Sequence, residues 1–114
     1  MNIDSEVTGG VLVLTLQEPR IDAAGAVAFK ERVRAALQGF EGRVLLDMGR
    51  VEFLDSSGLG ALVGVMKMLD GGRKLELAGC GTVVRKVLTL TRMDGVFLLH
   101  PSLDEAVGTG RDAA

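Results

Sequence analysis

Arg43-Val44-Leu45-Leu46-Asp47-Met48, followed by Val51-Glu52-Phe53-Leu54-Asp55-Ser56-Ser57-Gly58-Leu59-Gly60, is the stretch whose reading decides the fold. The first six residues form a short apolar run, which predicts a central strand. From about Leu59 to Leu69 apolar residues recur at helical spacing, which predicts a helix. Two hydroxyls, a carboxylate and glycines therefore sit where that helix begins. Helix N-termini expose unpaired backbone N–H groups and carry a partial positive charge. A phosphate on a serine there is electrostatically favoured. The segment reads as a switch site rather than a catalytic one.

Working outward, Val7 to Leu16 holds two strand-like pieces around Thr8-Gly9-Gly10, a hairpin signal. Val11-Leu-Val-Leu-Thr-Leu16 is nearly all apolar, which predicts a strand covered on both faces. Pro19 ends it. Asp22 is placed to cap a helix running to about Leu37, with Gly39 as its stop. Val27, Val33 and Leu37 form the apolar stripe of that helix, and Lys30, Glu31, Arg32 and Arg34 lie mostly away from it.

After the second helix, Asp70-Gly71-Gly72 is a stop, and Lys74-Leu-Glu-Leu-Ala78 alternates as a strand does. Thr82 to about Thr91 reads as a third helix. Val96-Phe-Leu-Leu99 reads as a last short strand, Ser102 or Asp104 starts a short final helix through Val107, and Gly108 onward is expected to be a frayed tail. The order is ββαβαβαβα. It predicts an α/β fold with a mostly parallel mixed sheet, an N-terminal β-hairpin and about four α-helices. One domain is expected across residues 1–114, with its core at about 5–108.

Composition narrows the function. A net charge of −2 with scattered arginines leaves no basic field, so nucleic acid is not an expected partner. There is no basic leader and no run of the ~20 apolar residues that span a bilayer, so a cytoplasmic protein without membrane insertion is expected. A single cysteine, Cys80, excludes an internal disulfide and a thiolate metal cluster. It reads as a small packed residue.

The single histidine, His100, offers no catalytic partner and reads as a plain loop residue. No G-x-S-x-G elbow, phosphate-binding G-x-x-x-x-G-K-[ST] loop or G-x-G-x-x-G turn occurs. No cofactor is expected. The chain reads as a substrate of an enzyme rather than an enzyme.

The element order, together with Asp55-Ser56-Ser57-Gly58-Leu59-Gly60 at the start of the second helix, resembles the STAS domain family. More narrowly it is similar to the bacterial anti-sigma-factor antagonists. Pro19-Arg20-Ile21-Asp22-Ala23, Val44-Leu-Leu-Asp47 and Leu90-Thr-Arg-Met-Asp94-Gly-Val-Phe97 match as well. The resemblance implies that Ser57 accepts a phosphate from an anti-sigma factor with GHKL-type serine kinase activity. It implies that the unphosphorylated chain binds that partner, that the phosphorylated chain does not, and that a PP2C-type phosphatase reverses the step. Two positions depart from the pattern: Arg92 stands where relatives often carry glycine, and Gly79-Cys80-Gly81-Thr82 lacks a common proline.

On a helical wheel Leu59, Leu62, Val63, Met66 and Leu69 share a core face, and Ala61, Val65 and Met68 form a second stripe about 120° away. That stripe either packs on a neighbouring element or is a docking surface beside the switch. Gly60 and Gly64, one turn apart, would let a partner backbone approach. Asp55 is either a loop or capping carboxylate, or a group that orients a serine hydroxyl or contacts the kinase's metal-bound phosphate; Ser56 reads as a cap, and the resemblance makes Ser57 the phosphoacceptor. The expected partner face thus comprises Asp22, Asp55, Ser56, Gly58, Gly60, Ala61, Gly64, Val65 and Met68. The alternative function is a non-phosphorylated STAS subunit of a transport complex of the lipid ABC transporter type, using the same face as a permanent contact.

Overall fold

The computed structural model describes the backbone of residues 1–112 and the side chains of residues 1–108. Strands β1 (Ile3–Thr8) and β2 (Val11–Leu16) form the hairpin, antiparallel with Thr8 opposite Val11. Its two-residue loop needs φ > 0 twice, and Gly9 and Gly10 supply it at 56° and 80°. Strands β4 (Arg43–Asp47), β6 (Leu75–Ala78) and β7 (Leu98–His100) then add in parallel, giving the order β1-β2-β4-β6-β7. The predicted mixed sheet is what forms.

Two further strands were not legible in advance. β3 (Arg20–Ile21) and β5 (Phe53–Leu54) make a separate parallel ladder, Arg20 opposite Phe53 and Ile21 opposite Leu54. Two residues carry no periodicity, so neither segment announces itself as a strand.

Helices α1 (Ala26–Leu37), α2 (Ser56–Met68) and α3 (Thr82–Leu90) share one face of the sheet. Leu12, Leu14, Leu16, Val44, Leu46, Leu75 and Leu77 meet Phe29, Val33, Leu62, Val65, Val84 and Leu88 there. The intervening strand residues Val11, Val13, Leu45 and Ala78 point the other way, onto Ala106 and Val107 of α4 (Leu103–Asp112). The predicted two-sided burial of β2 follows from this sandwiching.

The backbone continues as helix to Asp112, past the expected start of a frayed tail at Gly108; residues 113–114 of that expected tail lie outside the described residues.

α4 also accounts for the burial of a charged residue of β6. Glu76 is only 4% exposed. Its carboxylate takes two bonds from Arg43, Nε at 2.8 Å and Nη2 at 2.6 Å, and lies 2.8 Å from His100 Nε2. Arg43 Nη2 also donates to the Ala106 carbonyl at 2.9 Å, so the cluster pins α4 to the sheet. His100 is thus a strand residue in a polar cluster, not the loop residue expected. Burial alone would raise the Glu76 carboxyl; the bonds from Arg43 and His100 outweigh it and hold the group below its ordinary range.

Arg92 ends α3 with φ of 59°, the only non-glycine residue with positive φ among the described residues. Met93 N–H reaches back to the Leu88 carbonyl at 2.8 Å, so the turn is a helix-closing one that favours glycine. Arg92→Gly is expected to stabilise the fold by about 0.5–1 kcal/mol, the relief of a left-handed side chain less the added freedom of the unfolded chain. Thermal unfolding of the two proteins measures it. A lower melting temperature in the variant would show that the Arg92 side chain contributes more than the strain removes.

Candidate functional site

The site is built around the start of α2. Asp55 has extended backbone geometry and is the N-cap: its side chain accepts from Gly58 N–H at 2.8 Å, and its carbonyl takes Leu59 N–H at 2.9 Å. Its other oxygen, Oδ2, accepts from Ala23 N–H at 3.3 Å. One carboxylate thus ties the β3–α1 turn to the first turn of α2. Asp55 is therefore the capping carboxylate, and the cap is not Ser56, which is the first residue of the helix.

Asp22 is also not a cap. α1 starts later, after Gly25, without a side-chain cap, and the Gly25 N–H that an Asp22 cap would bind is given instead to the Asp22 backbone carbonyl at 3.1 Å in a tight turn. The Asp22 carboxylate instead receives Arg20 Nε at 3.3 Å.

Gly58 is buried, and the reason is contact. A Cβ there would lie 2.0 Å from the Ile21 carbonyl oxygen and 2.8 Å from Leu54 Cδ1. The glycine lets α2 start hard against β3. Its absence of side chain serves the fold, so it does not offer a partner surface.

Ser56 and Ser57 are both exposed on the first turn of α2. Neither hydroxyl has a hydrogen-bond partner among the described residues. The loop around them is fixed by Asp55 and Gly58 and owes nothing to the serines.

Along α2 the expected partner face divides. Gly60 is exposed with open space at its Cβ position, so close approach remains available there. Gly64 is not free, since Lys30 Cδ of α1 lies 3.2 Å from where its Cβ would stand. Ala61 and Val65 are 2% and 0% exposed and belong to the main core. Packed in the core, these two residues are not docking contacts in this fold. Met68 is half-buried beside Arg34, Leu37 and Gln38, some three turns (~16 Å at 1.5 Å per residue) from Ser57. The structure therefore brings together Asp22, Asp55, Ser56, Ser57 and Gly60, and leaves Met68 apart.

Two residues beside the serines were missed by sequence reasoning. Phe53 keeps 36% of its surface exposed, and the Arg20 guanidinium lies over its ring, 4.4 Å from the centroid. A cation on an aromatic face is a favourable contact. Only the β3–β5 ladder puts them together, and that ladder had no sequence signal. Next to it, β5 packs on α3, whose Val83 and Leu90 are also exposed.

Cys80, by contrast, sits away from these residues on the β6–α3 loop, and burial pushes its thiol up to about 11. At neutral pH it is a protonated, unreactive group. No helix among the described residues is long and apolar enough to cross a membrane.

A capped helix start presenting two free serines, on an α/β sheet with an N-terminal hairpin, defines a class that comparison with known proteins identifies. The STAS domain model matches residues 2–106, and the chain belongs to the STAS family. The anti-sigma-F factor antagonist RsfB of Mycobacterium tuberculosis is 29% identical over 98 residues, covering 86% of this chain and 80% of RsfB. The crystal structure of an anti-sigma factor antagonist from Mycobacterium paratuberculosis superposes with a TM-score of 0.85 at 28% identity, over 97% of this chain and 94% of that one. The unphosphorylated form of the antagonist SpoIIAA superposes at 0.78 with 24% identity, over 97% of each chain, a likeness of fold.

Proposed function

We propose that this chain is an anti-sigma-factor antagonist acting by partner switching, with Ser57 as its phosphoacceptor. RsfB and the Mycobacterium paratuberculosis protein, which this chain resembles over most of its length, are anti-sigma factor antagonists. The observation that carries the reading is that Ser57 is exposed on a rigid helix start and has no structural task. A group with no role in the fold is free to be modified without unfolding it.

The partner is an anti-sigma factor with serine kinase activity of the GHKL type. It supplies ATP, Mg²⁺ and the base that takes the Ser57 proton. This chain contributes the hydroxyl and its positioning, and is itself no enzyme. Asp22, Asp55, Ser56 and Gly60 surround Ser57 and form the contact face in this reading. A phosphate adds about −1.5 to −2 charges. The first turn of α2 accommodates it in the free protein, where it is solvated. In the complex it must be desolvated against the partner, and binding weakens. A PP2C-type phosphatase restores the binding form, and the cycle runs in the cytoplasm.

Ser57→Asp is expected to weaken binding to the anti-sigma factor about a hundredfold, equivalent to about 2.7 kcal/mol, while Ser57→Ala keeps wild-type affinity. Calorimetric titration of the three proteins checks this, with phosphosite mapping after incubation with the kinase and ATP. Phosphate found on Ser57 and missing from Ser57→Ala supports the switch. Undiminished binding by Ser57→Asp, with no phosphate in the presence of active kinase, would point to a permanent contact of the transporter-subunit kind.

A further inference from the structure

Arg20 stands beside the switch with two weak partners. Its Nε contact to Asp22 is 3.3 Å long, its other contact is the Phe53 ring, and its side chain is 59% exposed. An exposed ion pair of this geometry holds a side chain only loosely. The Ile21 carbonyl abuts Gly58, so Arg20 and Ser57 are each the chain neighbour of one of two touching residues. Arg20 and Ser57 thus stand on two segments in direct contact, and both residues are exposed.

The charges around the ladder leave Arg20 as the available cation of the turn. Asp22 and Asp55 are acidic, and Glu18 and Glu52 flank the two short strands. Lys30 lies against Gly64 further along α2, and Arg50 bonds to Gln17. On the α3 side, Arg85 and Lys86 are exposed. A phosphate dianion offers a guanidinium paired, charge-assisted bonds, stronger than a single long contact to a carboxylate.

We propose that Arg20 receives the phosphate on Ser57, giving up Asp22 and the face of Phe53. The inference rests on Ser57 being the phosphoacceptor. Phosphorylation then does more than add charge. It releases the Asp22 carboxylate and uncovers the Phe53 ring, changing the surface a partner meets while the backbone stays in place.

The test does not need the kinase. Phosphoserine is installed at position 57 by genetic encoding, and the phosphate is titrated by ³¹P NMR at low ionic strength, where charge effects are least screened. The phosphate's second pKa, ordinarily about 6, is expected to be lower by about 0.5 or more in wild type than in Arg20→Gln, with Arg20→Lys in between. The Phe53 ring protons are expected to shift on phosphorylation in wild type and to stay put in Arg20→Gln. The double variant Arg85→Gln/Lys86→Gln is expected to titrate like wild type.

Identical titrations in wild type and Arg20→Gln would overturn the proposal. So would an equal change in the α3 variant, which would assign the effect to the general field. A kinase that leaves Ser57 unmodified would sink the phosphoacceptor reading instead, and would leave the titration result standing as a property of the installed group.

Discussion

Gly58→Ala is expected to lower stability by about 2–4 kcal/mol, the range for forcing atoms into a packed interior. The added Cβ meets the Ile21 carbonyl oxygen at 2.0 Å, and that neighbour is backbone, so rotating a side chain brings no relief. Either α2 backs away from β3 or the β3–β5 ladder shifts. Both responses strain the Gly58 N–H bond to Asp55 and the Asp55 bond to Ala23, which set the shape of the serine turn.

At about 4–8 °C per kcal/mol for a domain near this size, the melting temperature should fall by roughly 8–30 °C. Gly60→Ala, two residues on, is the matched control. Nothing lies within 4 Å of its Cβ position, so the alanine should add about 0.5–1 kcal/mol through helix propensity alone. If the two variants melted together, the contact at Gly58 would have no energetic weight.

The second large effect is expected on the other face of the sheet. Glu76→Ala leaves the Arg43 guanidinium without its bidentate partner and His100 without its acceptor. Removing one member of a buried pair costs about 3–5 kcal/mol. Arg43 retains 31% side-chain exposure and so keeps some hydration, which places the expectation at the low end, about 3 kcal/mol.

The pH dependence has a definite sign. Glu76 titrates below its ordinary value of 4.5 in the folded protein. Its contribution is therefore complete above that ordinary value and is lost as pH falls through the depressed one. Wild type should lose stability more steeply than Glu76→Gln as pH falls below the ordinary carboxyl value of 4.5. Parallel acid limbs in chemical denaturation would refute this. A Glu76→Leu/Arg43→Met double variant should recover much of the loss, since apolar replacement of a whole buried pair is often neutral.

How much of this was legible in the sequence depended on the length scale of the interaction. β2 and β4 are apolar runs long enough to show their burial, and Gly9-Gly10 announces its turn. The two exposed serines stood out because Asp55, Gly58 and the apolar spacing after Leu59 mark a helix start within a few residues. Glu76 and His100 could not be paired from sequence, because they meet 24 residues apart across two strands.

The α2 wheel put the core face on Leu59, Leu62, Val63, Met66 and Leu69, yet of these only Leu62 is fully buried, while Ala61 and Val65 of the second stripe lie in the core. A wheel gives direction about one axis, with no information on what lies there. Asp22 has the chemistry of a cap but sits three residues before the helix, in a turn where its own carbonyl, not its side chain, takes the Gly25 N–H. The likeness in family pattern pointed to Ser57; the burial of Gly58 against Ile21 explains physically why a glycine follows it.

The residues that fasten α4, Arg43, Glu76 and His100, lie across the sheet from the serine turn, with the strands between them. Changes at well-separated positions combine almost independently. In a cell, the amount of folded chain responds steeply to a kcal/mol or two of stability. Two properties of a signalling protein, how many copies are present and how tightly each binds, thus fall to different residues. Drift on the α4 side can tune dosage while the surface that meets a partner remains unaltered.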